Sequence, residues 1–215
     1  MNKEEVLRRI REVGVIPVVR ARSAEEAVRA VEAIKAGGVP LLEITMTVPR
    51  AVDLIEQLSA AYGDEAVVGA GTVLDPETAR ACVAAGAQFV VSPSLDVRTI
   101  ELCRSYGVAV MPGALTPTEV VTAWQAGADM VKVFPCGALG GASYLKALKA
   151  PLPQIELIPT GGVSLGTAAD FIKAGASALG VGADLVDLKA LAEGQAELIT
   201  ERARQFVEIV REARR

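Results

Sequence analysis

Residues 125–135, Gln125-Ala126-Gly127-Ala128-Asp129-Met130-Val131-Lys132-Val133-Phe134-Pro135, hold a helix ending followed directly by a short strand. A glycine behind an alanine-rich stretch supplies the left-handed residue that closes a helix. The apolar, β-branched run after it is too short for a second helix and long enough for a buried strand. The same junction recurs at Lys35-Ala36-Gly37-Gly38-Val39, Ala84-Ala85-Gly86-Ala87 and Lys173-Ala174-Gly175-Ala176. Helix starts are marked as regularly. Ser23 with Glu26 fits a capping box, Asp75-Pro76-Glu77 puts proline at a first turn, and Thr116-Pro117-Thr118-Glu119 combines a cap, a proline and an early acid.

Working outward, strands are expected near Gly14–Val19, Pro40–Ile44, Ala66–Ala70, Gln88–Val91, Val108–Met111, Met130–Val133, Ile155–Ile158 and Ala178–Val181, each followed by a helix-compatible stretch. Eight βα units are the count for a closed (β/α)8 TIM barrel, here a single domain over residues 1–215. An extra N-terminal helix, Asn2–Val13, precedes the first strand and could cover the bottom of the barrel, and a helix near residues 194–214 closes the outer ring. A doubly wound sheet would place a glycine-rich dinucleotide turn after the first strand, where this chain has Arg20-Ala21-Arg22-Ser23.

Composition fits parallel strands covered on both faces. The chain is 51% hydrophobic but poor in aromatics, so its core must be built from Ala, Val, Leu and Ile. With 22 basic and 26 acidic residues the net charge is −4, which gives no general attraction to a nucleic-acid backbone. Cys82, Cys103 and Cys136 show no CxxC spacing and are odd in number, so a reducing compartment is expected rather than a disulfide framework. No apolar leader segment and no membrane-length apolar run is present, and a soluble cytoplasmic protein follows as the expectation. Histidine is absent, which excludes a Ser-His-Asp triad and the commonest zinc sites. Proton transfer then falls to carboxylates, lysine, tyrosine, threonine or water.

Two charged residues are misplaced in apolar strands: Lys132 and, in Leu41-Leu42-Glu43-Ile44-Thr45, Glu43. A lysine there either snorkels to water from a strand end or is held neutral by burial as a nucleophile. A second misfit of the same kind asks for a shared explanation. In a barrel of this type the site is built at the C-terminal ends of the strands. Arg20, Glu43, Thr45, Thr72, Ser92-Pro93 and Lys132 all fall there. After the seventh strand comes Pro159-Thr160-Gly161-Gly162-Val163-Ser164, and after the eighth Gly180-Val181-Gly182-Ala183-Asp184. Paired glycines make a tight turn or let backbone N–H groups reach an anion. Two such loops side by side, with a helix expected to start near Ser164, favour phosphate.

The ordered motifs Glu43-Ile44-Thr45, Gly69-Ala70-Gly71-Thr72-Val73, Val91-Ser92-Pro93, Met111-Pro112-Gly113, Val131-Lys132-Val133-Phe134-Pro135 and Pro159-Thr160-Gly161-Gly162-Val163 span nearly the whole chain. Together they resemble the class I 2-keto-3-deoxy-6-phosphogluconate (KDPG) aldolases, many of which also cleave 4-hydroxy-2-oxoglutarate. The resemblance implies cleavage of KDPG to pyruvate and glyceraldehyde 3-phosphate, no metal or other cofactor, and a homotrimer without nucleic-acid or membrane partners. Lys132 resembles the Schiff-base lysine and Glu43 the acid-base carboxylate. Thr72, Pro93 and Thr160 resemble residues around the pyruvyl group, Phe134 one beside the imine, and Gly161, Gly162, Gly182 and Ala183 a phosphate cradle. Some relatives carry an arginine where this chain has Thr47, and Arg20 is expected to supply that charge. Some carry serine where Ala183 stands. The galactonate epimer as substrate, and a phosphate-binding isomerase or epimerase, are the alternatives.

Overall fold

The structure, a computed structural model, describes residues 1–215. The chain runs α1 (Lys3–Val13), β1 (Val15–Val19), α2 (Ala24–Ala36), β2 (Leu41–Thr45), α3 (Ala51–Tyr62), β3 (Val67–Gly71), α4 (Pro76–Ala84), β4 (Phe89–Val91), α5 (Val97–Ser105) and β5 (Ala109–Met111). It continues through β6 (Gly113–Ala114), α6 (Pro117–Ala126), β7 (Val131–Val133), a 3-10 turn (Cys136–Leu139), α7 (Ala142–Lys149), β8 (Leu157–Pro159), α8 (Ala168–Lys173), β9 (Leu179–Val181), α9 (Leu188–Ala192) and α10 (Ala196–Ala213).

All pairings are parallel. One run of neighbours is β5-β4-β3-β2-β1-β9 and the other is β6-β7-β8. The pairs Leu157↔Ala176 and Thr160↔Gly180 join β8 to β9. β5 falls inside the strand expected at Val108–Met111, and the chain runs on past Pro112, which has no N–H to give the ladder but accepts from the Lys132 N–H at 2.9 Å, into β6, which was not expected. The sheet therefore curls round into a TIM-barrel-like arrangement with helices outside.

The punctuation works largely as the residues imply. Thr116 and Glu119 form a reciprocal capping box, and Asp75 accepts from the Thr78 N–H ahead of Pro76. At α2 the box is shifted: Ser23 accepts from Glu26 N–H, but the Glu26 carboxylate takes the N–H of Arg22 at 2.7 Å instead of that of Ser23. Of the two glycines after α2, Gly38 at φ +91° is left-handed and Gly37 at φ −81° is not. Two local expectations fail. The chain after Gly162 does not start a helix at Ser164; a turn intervenes and α8 begins at Ala168. The short helix α9 lies ahead of the last helix expected near residues 194–214 and was not itself expected.

Helix α1 lies across the N-terminal ends of the strands. Lys3 donates to Asp129 just before β7, and Arg11 pairs with Glu156 just before β8. The more exposed of these, Arg11–Glu156, is worth about 0–1 kcal/mol. Burying Val6, Leu7 and Ile10 on the other face is worth about 1.5–3 kcal/mol each, so the apolar face holds the helix down.

Candidate active site

Lys132 is the middle residue of β7, opposite Gly113 on one side and Ile158 on the other. It is 3% exposed, and its Nζ lies 5.2 Å from the Phe134 ring centroid. Glu43 is the middle residue of β2, between Val18 and Gly69, and is 2% exposed. Its Oε1 is buried without a hydrogen-bond partner. An orphaned carboxylate oxygen in a core costs folding free energy, so its retention asks for a functional cause.

Space for that carboxylate comes from Gly71. A Cβ at Gly71 would lie 2.0 Å from Glu43 Oε1 and 2.7 Å from Cγ and Cδ, so any side chain there would occupy the carboxylate's place. The next residue, Thr72, has φ +58°. Non-glycine residues in that region are strained, and the strain falls at the C-terminal end of β3, on the same side as the two charged groups.

Burial dominates the electrostatics of the pair. It lowers the Lys132 pKa below the ordinary lysine value; Glu43 opposes this and Arg20 adds to it. Burial raises the Glu43 pKa above the ordinary carboxylate range, against the pull of Lys132 and Arg20. Both groups are thus driven towards their neutral forms, an amine and a carboxylic acid. The three thiols are different: all are buried and pushed up to about 11 for Cys82 and Cys136 and about 12 for Cys103, which makes them inert as nucleophiles. No group of three His, Cys, Asp or Glu side chains comes together as a metal site.

A cavity of about 140 Å3 is lined by Arg20, Phe134, Thr160, Gly161, Gly162, Gly182 and Ala183, seven of the residues singled out from sequence. Lys132 and Glu43 are not on its wall, and Phe134, whose ring centroid lies 5.2 Å from the Lys132 Nζ, stands between the lysine and the opening. The Arg20 guanidinium leans over the loop after β9, its Nη1 3.8 Å from where a Cβ on Gly182 would sit. Gly161 and Gly162 are both left-handed, at φ +84° and +78°. The N–H groups of Gly161, Gly162, Ala183 and Asp184 make no hydrogen bond within the protein. The opening thus presents free backbone donors from two loops and one guanidinium.

Thr47, Thr72 and Pro93 do not line this cavity. Thr47 is exposed and its hydroxyl is 2.6 Å from that of Thr45, whose hydroxyl in turn donates to the Val19 carbonyl. Thr72 and Pro93 stand at the ends of β3 and β4, and the Pro93 carbonyl packs so closely on Gly113 that a Cβ there would sit 2.4 Å from its oxygen. Sequence reasoning missed Val18, Val163, Gly180 and Asp184 on the cavity wall. Gly180 is needed there because it pairs with Thr160, and a Cβ on it would lie 2.1 Å from Thr160 Oγ1, a register that the sequence does not display.

The chain matches the family described as KDPG and KHG aldolase over residues 6–202. It is 35% identical over 206 residues to the 2-dehydro-3-deoxy-phosphogluconate aldolase of Treponema pallidum (strain Nichols), covering 96% of each chain. It is 38% identical to the 2-dehydro-3-deoxy-6-phosphogalactonate aldolase of Escherichia coli (strain K12), covering 93% of this chain and 95% of that one. Among solved structures it resembles the KDPG aldolase of Legionella pneumophila with pyruvate captured as a covalent carbinolamine intermediate, at TM-score 0.85 and 30% identity, covering 92% of this chain and 96% of that one. Fold, glycine-framed polar strands and full-length likeness agree: the chain belongs to the KDPG and KHG aldolase family.

Proposed function

We propose that this aldolase cleaves KDPG to pyruvate and glyceraldehyde 3-phosphate through a Schiff base on Lys132, with Glu43 moving the protons. The observation that carries the reading is the buried pair itself: a lysine biased towards the amine and a carboxyl biased towards the acid, each acting on the other's charge. The neutral Nζ attacks the C2 ketone, and protonated Glu43 helps the carbinolamine lose water. Ionised Glu43 then takes the C4 hydroxyl proton. The C3–C4 bond breaks, its electrons pass into the iminium to give an enamine, and the aldehyde leaves. Glu43 returns the proton to C3, and water releases pyruvate from the lysine. One group must act as acid and base in turn, which a raised carboxyl pKa suits.

Arg20 would hold the pyruvyl carboxylate, with Thr72, Pro93 and Thr160 shaping the pocket and Phe134 packing beside the imine. The N–H groups around Gly161, Gly162, Gly182 and Ala183 would take the phosphate. Thr47 contributes through Thr45, and not by replacing a charge. The carbinolamine in the Legionella relative supports covalent chemistry with pyruvate. The family description supports 4-hydroxy-2-oxoglutarate as a further substrate, and the Escherichia coli relative supports the galactonate epimer as the second reading. A single domain over residues 1–215, a homotrimer and a cytoplasmic location belong to the same proposal. Exposed Tyr106, Trp124 and Leu139 offer apolar surface for association, and no helix is long and apolar enough to cross a membrane.

The test is borohydride reduction in the presence of pyruvate. One adduct, on Lys132, is expected by peptide mass spectrometry, and Lys132→Met should abolish it. An adduct on Lys146, Lys149 or Lys173 would refute the assignment, and no adduct at all would favour an isomerase or epimerase, which needs no Schiff base.

A further inference from the structure

Three openings meet at Ala183. One is the 140 Å3 cavity already described. A second, of about 460 Å3, is bordered by Ser164, Asp184, Asp187 and Arg202. A third, of about 410 Å3, lies on the other side of Arg20, against Val18 and Val186. The glycine-lined cavity therefore shares its rim with two wider openings, and the charges around that mouth bear on what the distal end of a substrate held there can be.

Four charged side chains border it: Arg20, Asp184, Asp187 and Arg202. Asp187 pairs with Arg202 at 3.0 Å and also caps α9, accepting from the N–H groups of Lys189 and Ala190, so these two charges cancel. Arg20 and Asp184 remain, and Asp184 has neither a hydrogen bond nor an ion pair to its carboxylate among the contacts of the chain, while lining both the cradle and the larger opening. Arg20 lies over the cradle, its Nη1 3.8 Å from where a Cβ on Gly182 would sit, and its charge also reaches Lys132 and Glu43, so it is shared between the two ends of a substrate. A phosphorylated keto acid has two anionic ends. The site offers one unpaired cation, and beside the cradle an unpaired carboxylate.

We propose that Asp184 is a specificity-determining residue of this aldolase: its carboxylate at the mouth of the glycine-lined cradle weakens the hold on a phosphate dianion, so that keto-deoxy acids ending in an uncharged hydroxyl compete as substrates. The inference rests on the aldolase reading above and narrows its substrate class. Discrimination here arises from a repulsive element as much as from the attractive backbone donors. Exposed like charges at such range change affinity by about tenfold, and salt screens the effect.

The experiment compares kcat/KM for KDPG and for 2-keto-3-deoxygluconate, which differ only in the phosphate, in the wild type, Asp184→Asn and Asp184→Glu. The ratio of the two constants should rise about tenfold in Asp184→Asn and stay near the wild-type value in Asp184→Glu, which keeps the charge. Raising sodium chloride from about 50 mM to about 500 mM should narrow the gap between wild type and Asp184→Asn, because the Debye length shortens. A mere loss of packing at Asp184 would leave that salt dependence unchanged. A ratio within twofold of wild type in folded Asp184→Asn, while pyruvate is still trapped by borohydride, overturns the proposal and leaves the aldolase standing. Absence of both trapping and pyruvate release from either substrate overturns the aldolase reading, and the proposal with it.

Discussion

Gly71→Ala tests whether the position of the Glu43 carboxylate, and not merely its presence, sets the rate. The added Cβ would lie 2.0 Å from Oε1, whereas a separation below 3.0 Å is essentially never tolerated, so the carboxylate must retreat by at least about 1 Å. It has little room to do so, being 2% exposed with Cγ and Cδ also only 2.7 Å from the new atom. A misplacement of about 1 Å in a catalytic constellation costs about 100-fold, so kcat should fall by roughly that factor. That is close to the lower end of the about 10²–10⁴-fold lost when a general acid-base is removed altogether. Overpacking should cost about 1–3 kcal/mol, which lowers the melting temperature by roughly 2–12 °C and leaves the protein folded at 25 °C. Steady-state pyruvate release gives the rate, and circular dichroism melting gives the fold. Adding Glu43→Asp, one methylene shorter, should recover part of the lost kcat. A folded Gly71→Ala with kcat within twofold of wild type would refute the placement of Glu43 in the mechanism.

Glu43→Gln keeps the shape of the buried side chain and should lower kcat by about 10²–10⁴-fold with a smaller change in KM, so a near-normal kcat would remove the proton-transfer role. Gly162→Val adds a side chain at a left-handed position whose Cβ would lie 2.8 Å from Gly137 Cα. It should raise KM for KDPG more than for unphosphorylated 4-hydroxy-2-oxoglutarate, and equal impairment of both by a folded variant would refute a phosphate contact there. Lys132→Met should be inactive yet more stable at pH 7 by about 0.5–2 kcal/mol in urea unfolding, the usual trade between activity and stability. Its pH dependence has a sign. Because burial depresses the folded pKa of Lys132, the unfolded chain binds more protons between that value and 10.5, and the lysine's contribution to wild-type stability rises with pH across the window. Lys132→Met removes that rise, and an identical slope in the two proteins would contradict a depressed pKa.

Most of the eight strands were legible because a short β-branched run follows a helix-closing glycine, and several are followed by a capping residue; the strand at Leu157–Pro159 follows Pro151 and Pro153 instead. Val131–Val133 and Leu179–Val181, for example, sit inside the segments expected for them. Lys132 and Glu43 were legible as single charges in apolar runs. Less readable was everything that depends on register. Gly71 appears in the sequence as one glycine of Gly69-Ala70-Gly71, and only the β2–β3 pairing sets it against the Glu43 side chain. The close approach of Pro93 to Gly113 is likewise a product of neighbours distant in sequence. Ser164 misled because a serine after paired glycines looks like a cap, whereas Thr167 supplies the hydroxyl that accepts from the Ser164 N–H and delays the helix to Ala168. Asp184 was legible as the end of the loop after the eighth strand, but not as a residue bordering two openings at once.

The joint between β8 and β9 rests on one residue pair at each end, Leu157↔Ala176 and Thr160↔Gly180, where the other neighbours share continuous ladders. It is the least fastened joint of the ring, and the glycine loops of the cradle hang from its two sides. A ligand gripped by both loops therefore acts as a clasp across it. Because ligand that binds only the closed ring adds its binding free energy to the cost of opening, a cell rich in substrate would hold this barrel shut against local unfolding and proteolysis. A starved one would let it breathe at this joint first, making the survival time of the enzyme a record of demand for it.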